Sequence, residues 1–103
     1  MQQFQFEITE RGYLVFPQKI AAEFFPENSC VAMVREGELW ILPIRSSASG
    51  GLMMKQRNLQ GDRSVLVWEA LKNNSKQGRY NAVWDAENGA MRIDFQHPAN
   101  QNG

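Results

Sequence analysis

His97 and Cys30 are the only histidine and the only cysteine in this 103-residue chain, which makes them the first places to look for nucleophilic or metal chemistry. They stand 67 residues apart, and neither has a second ligand near it in sequence. A metal site draws several ligands together and a Cys–His pair must sit within hydrogen-bond reach, so the two make a poor set. His97 falls in a polar tail that would have to fold back. Cys30 opens a strand-like run, where a small buried hydrophobe is the commoner role. The carboxylates Asp62, Glu69, Asp85 and Asp94 scatter over predicted turns and strands without the paired spacing of acid–base work, and solvated turn charges are the default. Asp85 precedes Asn88-Gly89 and reads as a turn former. No catalytic, cofactor-binding or metal-binding residue is expected.

Five cations are candidate nucleic-acid contacts: Arg11, Lys19, Lys55, Arg57 and Arg63. Lys55 and Arg57 alternate onto one face of a predicted strand, with Arg63 opposite. A solvated outer face is the simpler reading. Eleven basic residues balance eleven acidic ones, which removes the signal of a strongly basic domain. The imbalance is −2 through Arg45 and +2 beyond it, too small to imply a polyanion or a membrane surface. The Ser-Gly run SSASGG at 46–51 lacks the strand–GxxxxGK[ST]–helix context of a phosphate loop.

Phe24, Phe25, Trp40, Trp68 and Trp84 are candidate protein-interface residues. Core packing explains most aromatic residues in a small domain, and any excess over what the core holds marks an association surface. Met53 and Met54 are adjacent in a predicted strand, so one points each way.

The elements that must position these residues are mostly hairpins. FQFEI at 4–8 alternates apolar and polar, and YLVF at 13–16 follows a turn containing Gly12. Pro17 ends that strand and suits the first turn of a helix, QKIAAEFF at 18–25, which Pro26 stops. Ile20, Ala21, Phe24 and Phe25 share one side of it. So short a helix is marginal alone and needs a sheet or another protomer to pack on. CVAMV and LWILPI flank the turn Arg35-Glu36-Gly37-Glu38, a second hairpin. A third is expected about residues 58–63, with strand favoured over helix for 65–71, and Trp40, Trp68 and Trp84 all lie in predicted strands. RYNAVWD and AMRIDF flank Asn88-Gly89, the fourth.

These elements predict a mainly β fold, a barrel or sandwich of hairpins with one short helix. Residues 1–45 form a hairpin–helix–hairpin module and 46–51 a linker. Residues 52–95 form two further hairpins, one compact unit with the first half, and 96–103 a disordered tail.

ITERGYLVFPQKIAAEFF followed by VAMVREGELWILP resembles the AbrB/SpoVT-type swapped-hairpin module over about 40 of the 103 residues. The shared features are a Gly-containing hairpin, a strand ending in Pro, a short helix and a second hairpin whose turn carries an acidic residue and Gly. Gly12, Pro17 and Ile20 take matching places. The resemblance implies an intertwined dimer, and DNA binding through basic residues near the first hairpin. Tyr13 stands where members often carry a basic residue, Arg11 precedes Gly12, and Glu7 and Glu10 flank the turn. Phosphate neutralisation scales with Lys and Arg contacts, so Arg11 and Lys19 make a thin footprint.

The expected function is a non-catalytic protein-interaction or accessory module that homodimerises and takes a protein partner. The alternative is a small DNA-binding regulator or antitoxin of the swapped-hairpin type. One cysteine cannot form an internal disulfide, no charged-then-apolar leader opens the chain, and no apolar run approaches the roughly 20 residues of a membrane span. A cytoplasmic setting, with no membrane partner, is expected.

Overall fold

Phe4, Phe6 and Ile8 alternate with Gln3, Gln5 and Glu7, and in a strand that period puts the three apolar side chains on one face. In a computed structural model of the chain, which describes residues 3–44, 51–72 and 77–99, they form strand β1 (Gln3–Ile8) with Phe6 and Ile8 fully buried. Gly12 makes the turn that follows possible. Its φ of +85° lies in the left-handed region, and its N–H donates to the Thr9 carbonyl at 3.0 Å. The chain returns as β2 (Tyr13–Phe16), and Pro17 leads into helix α1 (Gln18–Phe24).

Pro17 has no side-chain oxygen to cap that helix. Asp62 supplies one from 44 residues away, its Oδ1 accepting the Gln18 N–H at 3.0 Å. Beyond α1 come β3 (Ser29–Arg35) and β4 (Glu38–Pro43), joined by Glu36 and Gly37 with φ of 53° and 79°. Two consecutive positive φ values give the primed turn whose twist matches flanking antiparallel strands. Two short strands follow, β5 (Leu52–Met53) and β6 (Lys55–Gln56), then β7 (Arg63–Leu66), helix α2 (Trp68–Leu71), β8 (Gly78–Asp85) and β9 (Ala90–Pro98).

The nine strands among the described residues form one antiparallel sheet in the order β5-β3-β4-β9-β8-β1-β2-β7-β6. The two ends of that order, β5 and β6, are separated in sequence by Met54 alone, so the sheet curls until its ends nearly meet. The result is a mainly β, nearly closed barrel. Strands from the two halves alternate around it: β1 pairs with β8, β2 with β7 and β4 with β9. Its interior holds Phe6, Phe16, Phe25, Leu39, Ile41 and Ile93, with Tyr80 and Met91 also buried.

The four expected hairpins are present, with differences in detail. The third is short, pairing only Lys55 with Ser64 and Gln56 with Arg63. Residues 65–71 divide between strand and helix: β7 ends at Leu66, and Trp68 opens α2 instead of lying in a strand. The tail begins later than its composition suggests. Residues 96–98 continue β9, Ala99 is buried, and its N–H donates to the Arg79 carbonyl at 2.8 Å. Of the linker only Gly51 is among the described residues, and residues 100–103 lie outside them.

Candidate interaction surface

A nearly closed sheet leaves one seam, and here the seam is apolar. β5 covers the outer edge of β3 only at Ser29 and Cys30, so residues 31–35 have no strand beside them on that side. Across the gap stand β7 and α2. Between them runs a groove of about 620 Å³ lined by Val31, Ala32 and Leu52 on one side and Leu66, Glu69 and Ala70 on the other, with Cys30 and Gly51 completing it. Glu69 is the charged residue of that lining.

Several exposed apolar side chains lie on the elements that flank the groove, whereas Leu59, the most exposed of all, lies in the turn after β6. Met53 is 67% exposed and Trp68 48%, while Tyr13, Val31, Leu52 and Leu66 are each exposed over more than a third of their surface. Tyr13 and Leu66 are cross-strand partners, so they stand side by side. Met53 and Met54 divide as their adjacency requires, Met54 being buried. Nothing in composition marks Val31, Leu52 or Leu66 as surface residues. Val31 and Leu66 alternate with buried Cys30 and Val65 and so stand on the outer face of the sheet, while Leu52, paired with Cys30, is exposed at the end of the strand order.

Four of the five aromatic interface candidates are absorbed by the chain itself. Phe25 is 1% exposed and Trp40 6%, so neither presents a surface. Phe24 packs on Trp84, ring centroids 4.7 Å apart, and on Phe4 at 5.6 Å, joining α1 to the sheet. Trp68 alone remains substantially open. Trp40 points to the outer face of β4, opposite Met33 of β3 and Arg92 of β9. It is buried there because the guanidinium carbons of Arg35 and Arg92 lie 4.7 and 5.0 Å from its ring centroid. Arg92 is held in turn by Glu38 at 2.8 Å and Asp85 at 3.1 Å. Among the described residues the Trp40 Nε1 donor has no hydrogen-bond acceptor.

The cations divide. Arg11 and Arg57 line one shallow depression of about 350 Å³ with Thr9, Glu10, Tyr13 and Ser64, and Lys55 shares the face of Ser64 through strand pairing. Arg63 faces elsewhere, donating to the Asn28 Oδ1 at 3.1 Å and to the Gly61 carbonyl. Lys19 sits in α1, with the whole of β2 between it and Arg11. Arg11, Lys55 and Arg57 thus fall near Ser64 on the outer side of β7, while Lys19 belongs to α1.

His97 is part of β9, not of a free tail, and its Nδ1 lies 3.0 Å from Asp94 Oδ2 on an exposed surface. Cys30 is buried, and desolvation pushes its thiol up to about 12. Iodoacetamide is accordingly expected to alkylate the native chain far more slowly than the urea-unfolded chain, a difference that mass spectrometry reads directly. Among the described residues no group of His, Cys, Asp and Glu gathers as a metal set.

Two carboxylates act as turn and cap formers. The Asn58 side chain and the Gln18 N–H hold the Asp62 carboxyl below its usual range, and the Asn88 side chain, the Asn88 N–H and Arg92 do the same for Asp85. A depressed folded-state value means that the unfolded chain takes up protons first as the solution is acidified. The contribution of both groups is complete above the unfolded carboxylate value of about 3.9 and is lost as pH falls through the folded values. Asp85→Asn is expected to flatten the acid limb of a stability–pH curve measured by urea denaturation, and an unaltered limb would refute this.

Among the described residues no helix is long and apolar enough to cross a membrane. Comparisons with protein-family models, with curated proteins and with solved structures find no match to this chain.

Proposed function

We propose that this chain is a non-catalytic protein-interaction module, of the accessory or assembly kind, and that the apolar seam between β3 and β7 is its working surface. One observation supports the reading most strongly: exposed Val31, Leu52 and Leu66 line a single groove, and exposed Met53 and Trp68 are their chain neighbours on β5 and α2. A domain with an otherwise filled core gains nothing in stability from exposing them, and association is the general use of such a patch. The reading includes self-association through the outward rim and a cytoplasmic setting, the latter supported by a lone buried thiol. Kinship with swapped-hairpin proteins is part of the proposal, resting on Gly12, Pro17 and Ile20.

The test is a double variant, Met53→Glu with Leu66→Glu, examined by light scattering and by affinity capture beside the parent chain. Both positions are exposed, so the unfolding midpoint is expected to stay within about 0.5 kcal/mol of the parent. Self-association and partner capture are expected to fall at least tenfold. A parent chain that is a monodisperse monomer and captures nothing would remove the proposal.

A second reading, DNA binding, is favoured by one specific arrangement, the gathering of Arg11, Lys55 and Arg57 on the face that includes Tyr13 and Ser64. If these residues meet phosphates, Arg11→Ala with Arg57→Ala should lower the slope of log affinity against log salt by about 2 per bound chain. Salt-independent binding, or none at low ionic strength, removes this reading.

A further inference from the structure

The backbone of β3 carries information that its side chains do not. In an antiparallel ladder, alternate residues turn their N–H and C=O to opposite neighbours. The Ser29 carbonyl accepts from Ile44 on the β4 side, and the Asn28 carbonyl accepts from Met54 on the β5 side. Odd-numbered residues of β3 therefore serve β4, and even-numbered ones face the seam. Cys30 is met there by Leu52. Ala32 and Val34 are met by no strand, and no backbone bond is recorded for either on that side among the described residues. Two donors and two acceptors are thus presented in strand register, Ala32 lining the apolar groove and Val34 two residues further along the same edge.

Resting on the interaction reading above, we infer that the seam takes an added β-strand. Its occupant is an extended segment of a partner protein, pairing with Ala32 and Val34, with small apolar side chains and a lysine or arginine facing Glu69. Strand addition of this kind draws affinity from main-chain bonds and selectivity from alternate side-chain sites. Val31, Leu52 and Leu66 favour apolar side chains, and the closeness of α2 to β3 favours small ones. Glu69, the charged lining residue, selects a cation. The edge is also recessed, because β5 caps one end and α2 packs alongside β3. A recessed edge admits an extended segment more readily than a second copy, which would have to bring its own α2 and β5 into it.

The experiment pans a random heptapeptide library on the full isotope-labelled chain and follows amide exchange with a synthesised enriched peptide. Enriched sequences are expected to alternate small apolar residues, to include one Lys or Arg and to lack internal Pro. The bound peptide is expected to slow exchange at Ala32 and Val34 at least tenfold. Glu69→Lys is expected to weaken it at least fivefold, and exchanging the peptide's cation for Glu to restore the loss.

Peptides that bind and leave Ala32 and Val34 unprotected would overturn strand addition, as would a library that yields no enrichment. Protection that rises with the chain's own concentration and needs no peptide would assign the edge to a second copy and overturn the inference too. The broader reading fails separately, when the Met53→Glu and Leu66→Glu variant associates and captures like the parent.

Discussion

Phe16→Ala is expected to cost about 3–5 kcal/mol of folding stability, a large share of the roughly 5–15 kcal/mol available to a domain of this size. Phe16 is fully buried, with its ring centroid 5.0 Å from Phe6 and 4.9 Å from Phe25. Those neighbours belong to β1 and to the end of α1, and Phe25 touches Trp84 of β8 at 6.4 Å. The three partners are anchored by separate elements, so they cannot move together to fill the space a truncated side chain leaves. A cavity is therefore the expected outcome, and its cost adds to the lost transfer energy. Phe16→Leu keeps most of the volume and should cost less than half as much. Guanidinium denaturation followed by circular dichroism measures both, and a Phe16→Ala loss below about 1 kcal/mol would contradict this description of the core.

Gly12→Ala carries the second-largest expected effect, about 2–4 kcal/mol, from two sources. An L-residue held at a φ of +85° pays about 1–2 kcal/mol in backbone strain. A Cβ there would also stand 2.8 Å from Trp68 Cε3 and 2.9 Å from Trp68 Cβ, with the Trp68 Cα at 3.3 Å. The last two atoms are not the free end of a side chain, so α2 itself must move. It is tied to the same spot by the Val67 N–H, which donates to the Gly12 carbonyl at 2.9 Å. Because α2 supplies Glu69 and Ala70 to the groove, the variant should weaken peptide binding as well as stability. An unchanged unfolding midpoint with unchanged binding would show that the hairpin and α2 are not coupled.

The sequence is most informative where the physics is local. The alternation at 4–8, the Glu36-Gly37 turn and Asn88-Gly89 each announce their hairpin, because side-chain period and positive φ are properties of a few adjacent residues. The ambiguity at 65–71 reflects a true division, since Val65 is a strand residue and Trp68 begins a helix one residue after Val67. The tail misleads because Gln96 and His97 are exposed residues of a strand. Their polarity gives no hint that Ala99 anchors its end.

The candidate site is far less legible. Exposed Val31 and Leu66 look like core residues, Trp40 looks like an interface residue until Arg35 and Arg92 are found against it, and Arg63 looks free until Asn28 reaches it. Asp62 looks like a turn charge, and it caps a helix 44 positions earlier.

From the sequence alone one can determine strands, turns and one short helix, all matters of residue type and near spacing. Tertiary structure decided which strand lies beside which, and therefore that β3 keeps an open edge at Ala32 and Val34. Strand order depends on matching apolar faces across distant segments and on closing the sheet, and neither is written in any window of neighbouring residues.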